Sequence, residues 1–273
     1  AELIAIREEL DLPFLATEVA SQDRNRLNTA FEACAEIGIP IVNIGPGGQM
    51  NNEETMVQSL ETIQILAEDA EKFGITLCVK AHVGAAVWST PTTLQMMDAI
   101  TSPAFGVDMD PSHIHRAGEN PAVALPAVLS KMKHIHIRDC KGEGPSPGDP
   151  TNQACGRGDI DLVGYFKAMV DHNYNGAVDL EVIGPDQSLA DATRIAAESY
   201  GYMKGPYSRD KDGVVASMLI CEMAAYYNLK GMTLIDAINS LYEKYGYYME
   251  NSAEIYMEGL DGKEQIAALM NKL

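Results

Sequence analysis

The chain lacks any run of about 18 consecutive apolar residues, the length a membrane-spanning helix needs, so no such span is read in it. It also lacks a charged-then-apolar leader, and no secretory signal is read at its start. Basic residues are scarce: 20 Lys and Arg stand against 39 Asp and Glu, a formal net charge of −19. A surface this acidic repels phosphate backbones, which argues against nucleic acid as a partner. The five cysteines, Cys34, Cys78, Cys140, Cys155 and Cys221, are odd in number and form no close pairs. They read as reduced thiols of a cytoplasmic protein rather than as a disulfide framework. Low-complexity segments and internal repeats are absent as well. What is present is ordinary for a foldable chain: 273 residues, 46% hydrophobic and 22% charged, enough for one large domain or two modest ones.

Residues 1–195 alternate short β-like runs with amphipathic helical runs. The strands are read at Leu12–Ala16, Pro40–Gly45, Ile75–Lys80, Phe105–Asp110, His134–Arg138 and Ala177–Val182. Helices are read between them, at Arg24–Ile37, Thr55–Phe73, Thr93–Ile100, Pro121–Ser130, Leu162–Asp171 and Leu189–Glu198, with Gly38 and Gly74 as stops. This alternation argues for parallel strands with helical crossovers, largely apolar because both faces are covered. Six βα units suit an open doubly wound sheet, or an incomplete (β/α) barrel of the TIM type, whose closed form takes eight strands. Residues 199–273 change style. Long helices are read at Asp212–Leu229 and from Thr233, an N-cap with Asp236 three residues on, to Tyr245. A short strand at Ala253–Met257 and a last helix at Lys263–Leu273 follow, and tyrosines crowd this part as helix packing.

The histidines carry the functional signal. His82, His113, His115, His134 and His136 fall at or just beyond the carboxyl ends of predicted strands, where α/β folds with parallel strands bind ligands. Asp110, His136 and Glu181, from three neighbouring strand ends, make an oxygen-rich site with one imidazole, suited to a divalent ion such as Mn²⁺, Mg²⁺, Co²⁺ or Zn²⁺. Period-two alternation puts His134, His136 and Arg138 on one face, with His136 nearest the carboxyl end and His134 behind it. Asp108 reads as a loop cap or a site residue, and Glu181, in an apolar strand, needs a partner. Lys80 reads equally as a salt-bridge partner of Asp110 or Glu181 and as a base or carbonyl-polarising cation. His115 and Arg116 read as a solvated loop. Gly45–Gly48 is a weak phosphate cradle, and the long loop Lys141–Cys155 reads as a lid.

In order, spacing and strand-end placement, the segments Pro40–Gly48, Lys80–Gly84, Gly106–His113, His134–Asp139, Gly156–Asp161 and Gly176–Glu181 resemble the xylose isomerase-like TIM-barrel family of sugar and sugar-phosphate isomerases and epimerases. The resemblance implies a barrel domain over residues 1–197 that lacks the first two strands. It implies a divalent metal held by Glu, Asp, His and Glu from four strands. Asp110, His136 and Glu181 match the last three, and His113 matches a substrate-contacting histidine. The first Glu falls on Lys80, and a protonated lysine cannot bind metal. Either His82 replaces it, or the metal is weak, or Lys80 runs different chemistry as the base. The segments around Glu198–Tyr202, Arg209–Val214, Glu222–Tyr227 and Leu241–Tyr248 are similar to the phosphoglucomutase/phosphomannomutase family, which would give an α-rich segment over 198–273 and place Glu198 and Ser199 on sugar hydroxyls. The phosphoserine loop, the Asp-rich Mg²⁺ loop and the phosphate-binding domain of that family are not found.

The leading expectation is a metal-assisted isomerase or epimerase of a small sugar or sugar derivative. Glu181 or Lys80 would move the proton, Asp110, His136 and Glu181 would hold the metal, and His82, His113 and Arg138 would position the substrate. Two alternatives stand beside it: a phosphohexomutase-related protein, and a non-catalytic fusion of two incomplete domains. Exposed edges of an open barrel would favour a homo-oligomer.

Overall fold

The computed structural model describes residues 2–185, 187–204, 223 and 226–246. The chain divides into two compact units, Ala1–Tyr207 and Ser208–Leu273. The first holds one sheet of six parallel strands in sequential order: β1 (Thr17–Glu18), β2 (Ile41–Ile44), β3 (Thr76–Lys80), β4 (Phe105–Met109), β5 (Met132–Ile137) and β6 (Ala177–Leu180). Sequential order is the mark of a barrel arc, because a doubly wound sheet reverses direction at a switch point. The unit is therefore a half-barrel backed by helices α1 (Glu2–Leu10), α2 (Arg24–Ile37), α3 (Glu53–Lys72), α4 (Thr90–Ala99), α5 (Pro111–Arg116), α6 (Pro121–Val128), α7 (Leu162–Asp171) and α8 (Leu189–Lys204).

The helices start and stop where short polar side chains and glycine say they should. Asp23, Asn52, Asp110, Asn120 and Asp161 cap α2, α3, α5, α6 and α7 through backbone N–H groups, and Ser89 with Thr92 forms a capping box on α4. Gly38 ends α2 at φ +87°, a left-handed conformation that any side chain would strain. Leu27 and Phe31 on α2, and Ile63 and Leu66 on α3, are fully or almost fully buried and pack in one core with Val42, Leu77, Val79, Ile135 and Ile137 of the sheet.

Two local readings differ from the sequence expectation. The first strand is not Leu12–Ala16 but Thr17–Glu18, paired to Val42 and Asn43. A strand needs a partner, and β2 offers one only from Ile41, just after Pro40, which has no N–H to give. The segment Pro111–Arg116, read as the strand end and a loop, forms the one-and-a-half-turn helix α5, begun by the Asp110 cap and Pro111.

In the second unit a helix spans Leu234–Tyr245, opened by the expected Thr233 cap with Asp236 completing a capping box. The predicted strand Ala253–Met257 and last helix lie outside the described residues, as does most of the predicted helix Asp212–Leu229. Among the described residues no helix is long and apolar enough to cross a membrane. Cys34, Cys78, Cys140 and Cys155 are buried free thiols, and Cys221 lies outside the described residues.

Candidate functional site

Strand register assembles the site. Lys80 pairs with Asp108 across β3 and β4, Asp108 with His134 across β4 and β5, and His136 with Asp179 across β5 and β6. Period-two alternation then carries Lys80, Asp108, Asp110, His134, His136, Arg138 and Glu181 on the concave side and at its rim. Such charges are tolerated in an apolar sheet only because each finds a partner.

Asp108 is the innermost anchor, with no solvent exposure. His134 Nδ1 donates to its Oδ1 at 2.9 Å, and His136 donates twice, Nδ1 to Oδ2 at 2.5 Å and the backbone N–H to Oδ1 at 3.1 Å. His134 Nε2 donates to Asp179 at 3.0 Å. Burial opposes the charge on His134, but the bonds to Asp108 and Asp179 outweigh it and raise its pKa to about 9. His134 is thus an imidazolium with both ring nitrogens engaged. The same bonds hold Asp108 ionised against the cost of its burial.

One layer outward stands Lys80, whose side chain is 5% exposed. Its Nζ lies 3.1 and 3.2 Å from the two Glu181 oxygens and 3.4 Å from Glu18 Oε2. Burial opposes its charge too, but Asp110, Glu181, Asp108 and Glu18 together raise its pKa. Glu18 Oε2 also lies 3.3 Å from His136 Nε2. Arg138 NH1 lies 3.1 Å from Glu181 Oε2, so Glu181 sits between an ammonium and a guanidinium.

A third group surrounds Asp110. Its Oδ1 accepts the Ser112 N–H, and its Oδ2 accepts Arg138 NH2 at 2.8 Å. Arg138 Nε donates to Ser112 Oγ at 2.8 Å. The His113 Nδ1 accepts from the Val83 N–H at 3.2 Å and from Arg116 NH2 at 2.9 Å, and its Nε2 lies 3.0 Å from Arg138 NH2. Burial, helped by the neighbouring cations, lowers the His113 pKa to about 2, so this ring is neutral. His82 packs against it, ring centroids 4.0 Å apart and planes tilted by 40°.

The structure brings together His136, Glu181 and Lys80 from the residues singled out in the sequence, and adds Glu18. Among the described residues two sets of side chains present ligand atoms within 4.8 Å of one another: Glu18, His136 and Glu181, and Asp108, His134 and His136. The second set is spent on its own ion pairs. The first fits a divalent ion in kind, since it offers two carboxylates and an imidazole whose other nitrogen is held by a carboxylate, the usual support for a metal-bound histidine. Asp110 stands in neither set, its oxygens being taken by Ser112 and Arg138. Glu198 and Ser199 lie on α8 and face the long loop: Glu198 pairs with Arg157 at 2.7 Å and with Arg194, and Ser199 Oγ accepts the Cys155 N–H at 3.1 Å. That loop is pinned at several points, with Asp139 accepting from the Cys140, Gly156 and Ile160 N–H groups.

Glu18, Asp179 and Arg116 were not singled out as site residues. Asp179 carried a signal, standing two residues before Glu181 on the same face. Arg116, read as solvated, is buried on α5. An open cleft of about 700 Å³ lies elsewhere, between the starts of α3 and α4, lined by Asn52, Glu53, Trp88, Ser89, Gln95 and Glu119.

Residues 8–205 match the family described as xylose isomerase-like TIM barrel. An inosose dehydratase of Clostridium perfringens is 26% identical over 172 residues, 58% of this chain and 57% of its own length. A phosphoglucomutase of Staphylococcus aureus is 40% identical over 75 residues, but these are 28% of this chain and 14% of that enzyme. The chain thus spans less than two thirds of either relative. Among solved structures, the IolI protein with a binding zinc atom superposes with a TM-score of 0.63 at 18% identity, over 77% of this chain and 84% of its own. The 3-keto-D-glucoside 4-epimerase YcjR of E. coli superposes with a TM-score of 0.62 at 16% identity, over 75% and 83%. These likenesses establish the fold.

Proposed function

The chain belongs to the xylose isomerase-like TIM-barrel family, and from that premise we propose that it moves a proton at the carbon next to a carbonyl in a small sugar or sugar derivative. Isomerisation and epimerisation begin with that step, and so does loss of water from a keto-polyol, the reaction named for its inosose dehydratase relative. The observation that carries the reading is Glu181. It is a strand-end carboxylate with a fifth of its side chain open to solvent, aimed by Lys80 at 3.1 Å and Arg138 at 3.1 Å.

Glu181 takes the proton from carbon. Lys80, beside it, faces the oxygen on which negative charge develops, where a fixed cation lowers the barrier. His82, which is exposed beside them, orients a substrate hydroxyl, while Arg138 aims Glu181 and buried, neutral His113, its ring nitrogens engaged by Val83, Arg116 and Arg138, holds Arg138 in place. A divalent ion, in place of the Lys80 ammonium, would be held by Glu18, His136 and Glu181, and when bound would polarise the carbonyl and its neighbouring hydroxyl. Asp108 and His134 keep His136 in place from behind.

The test is exchange of the carbon-bound proton in D₂O, followed by NMR over a panel of ketoses and keto-inositols. Glu181→Gln should cut exchange and turnover by on the order of 10²–10⁴ while Trp88 fluorescence and circular dichroism stay those of the folded chain. An active Gln variant overturns the assignment.

A further inference from the structure

Lys80 occupies an unusual place for a lysine. Glu18 comes from β1 and Glu181 follows β6, the two edges of the sheet, and the ammonium of β3 bridges them at 3.4 and 3.1 Å. Those same carboxylates, with His136 Nε2, are the set whose ligand atoms converge within 4.8 Å. Among the described residues Lys80 is the only ammonium or guanidinium paired with Glu18. The bridge is shielded, because the Lys80 side chain is 5% exposed, so water screens its charge weakly. A dication placed on these oxygens while the ammonium stayed would meet like charge at contact distance in a poorly screened site. If the ammonium left with nothing in its place, two carboxylates would face each other with the cation between them gone, Glu181 keeping Arg138 and Glu18 keeping His136 Nε2. The site therefore takes one cation at a time.

We propose that Lys80 is a resident cation: its ammonium fills the position between Glu18 and Glu181 that a divalent ion would take, and the two occupy the site alternately. The inference rests on the reading above that Glu18, His136 and Glu181 are the metal-holding set. It makes the chain a weak binder of divalent ions whose affinity is set by Lys80 rather than by the ligand set itself.

The experiment is calorimetric titration of Mn²⁺ and of Zn²⁺ into the full chain, comparing wild type, Lys80→Gln and the double variant Lys80→Gln/His136→Ala. Lys80→Gln should bind one ion per chain more tightly than wild type by on the order of tenfold or more, and the double variant should lose that gain. Equal affinity in wild type and Lys80→Gln, including no binding by either, overturns the proposal, as does a gain that survives loss of His136. Thermal melts with chelator and with Mn²⁺ run in parallel. A Lys80→Gln chain that is folded only with Mn²⁺ supports the proposal, since the ion then does the ammonium's work. One that stays unfolded in Mn²⁺ overturns it. Proton exchange is scored separately. Tightened binding with no exchange on any substrate keeps this inference and removes the catalytic reading, and exchange without tightened binding does the reverse.

Discussion

Replacing Asp108 by Asn probes how the half-barrel holds its site. The wild-type carboxylate is fully buried and accepts from His134 Nδ1 at 2.9 Å, His136 Nδ1 at 2.5 Å and the His136 backbone N–H at 3.1 Å. An amide keeps one acceptor and turns the other oxygen into a donor that faces a donor. One hydrogen bond to a charged group is lost, about 1.5–3 kcal/mol. The His134 imidazolium then keeps one carboxylate partner, Asp179, whose side chain is 45% exposed. Breaking a buried ion pair costs about 3–5 kcal/mol, so the variant should lose roughly 3 kcal/mol, the lower end, because one acceptor remains. Asp179→Asn makes the same chemical change in partial contact with water and should cost under about 1 kcal/mol. Urea unfolding at neutral pH is the assay, followed by Trp88, the one tryptophan in the chain, which lies in the first unit and reports that unit. With a slope of about 2 kcal/mol/M, Asp108→Asn should move the midpoint by about 1.5 M. A shift below about 0.5 M, or equal shifts for the two variants, would refute the view that Asp108 organises the two histidines.

Two further outcomes are expected away from that network. Asp69 accepts from Arg24 Nε at 2.5 Å and pairs with Lys72 at 2.7 Å, and the Arg24 bond above all holds its pKa below the ordinary carboxylate range. A carboxyl depressed on folding contributes stability above its unfolded pKa and loses it as pH falls, so the midpoint gap between wild type and Asp69→Asn should be constant above about pH 5 and shrink below about pH 4. A gap that holds or widens in acid would contradict this. Glucose 1-phosphate should yield no glucose 6-phosphate in a coupled assay, because the phosphoglucomutase likeness covers 14% of that enzyme. Measurable turnover would restore the mutase reading.

Elements with their own local signals were legible in the sequence. Helix α2 ends at Gly38, the stop read for it, and α2 and α7 both fall at the bounds read from their amphipathic runs. Strands β3 to β6 were visible as short, largely apolar runs with charged or histidine side chains gathering toward their carboxyl ends. Elements defined by a distant partner were not. Two-residue β1 exists because Asn43 and Val42 pair with it, and nothing in Thr17-Glu18 announces this, so Glu18 went unnoticed. Helix α5 has six residues, too few to show a period, and Arg116 was therefore read as solvated although it is buried against His113. The roles of Asp108 and Asp110 depend on which neighbour each reaches. Alternation puts both on one face, but only the fold gives Asp110 to Arg138 and Asp108 to the histidines.

The curvature of the sheet and the chemistry of the site have a common cause. In a flat sheet with strands about 4.8 Å apart, β1 and β6 would stand roughly 24 Å from each other, beyond the reach of any lysine between two glutamates. Yet Lys80, near the middle, pairs with Glu18 of β1 and with Glu181 beyond β6. The sheet must curl for these contacts to form, and the contacts in turn oppose its flattening. The exposure of the charged residues follows the same arc: Asp108 and His134 on the central strands are buried, whereas the side chains of Glu181 and Glu18 at the edges are 20% and 36% exposed. Under the proposed function, substrate and metal would approach from the rim, where the carboxylates that clasp the arc would also be the ones to meet them. A change at Lys80 should consequently alter ion binding and the stability of the first unit together, whereas a change at His82, exposed and outside the clasp, should alter substrate binding alone.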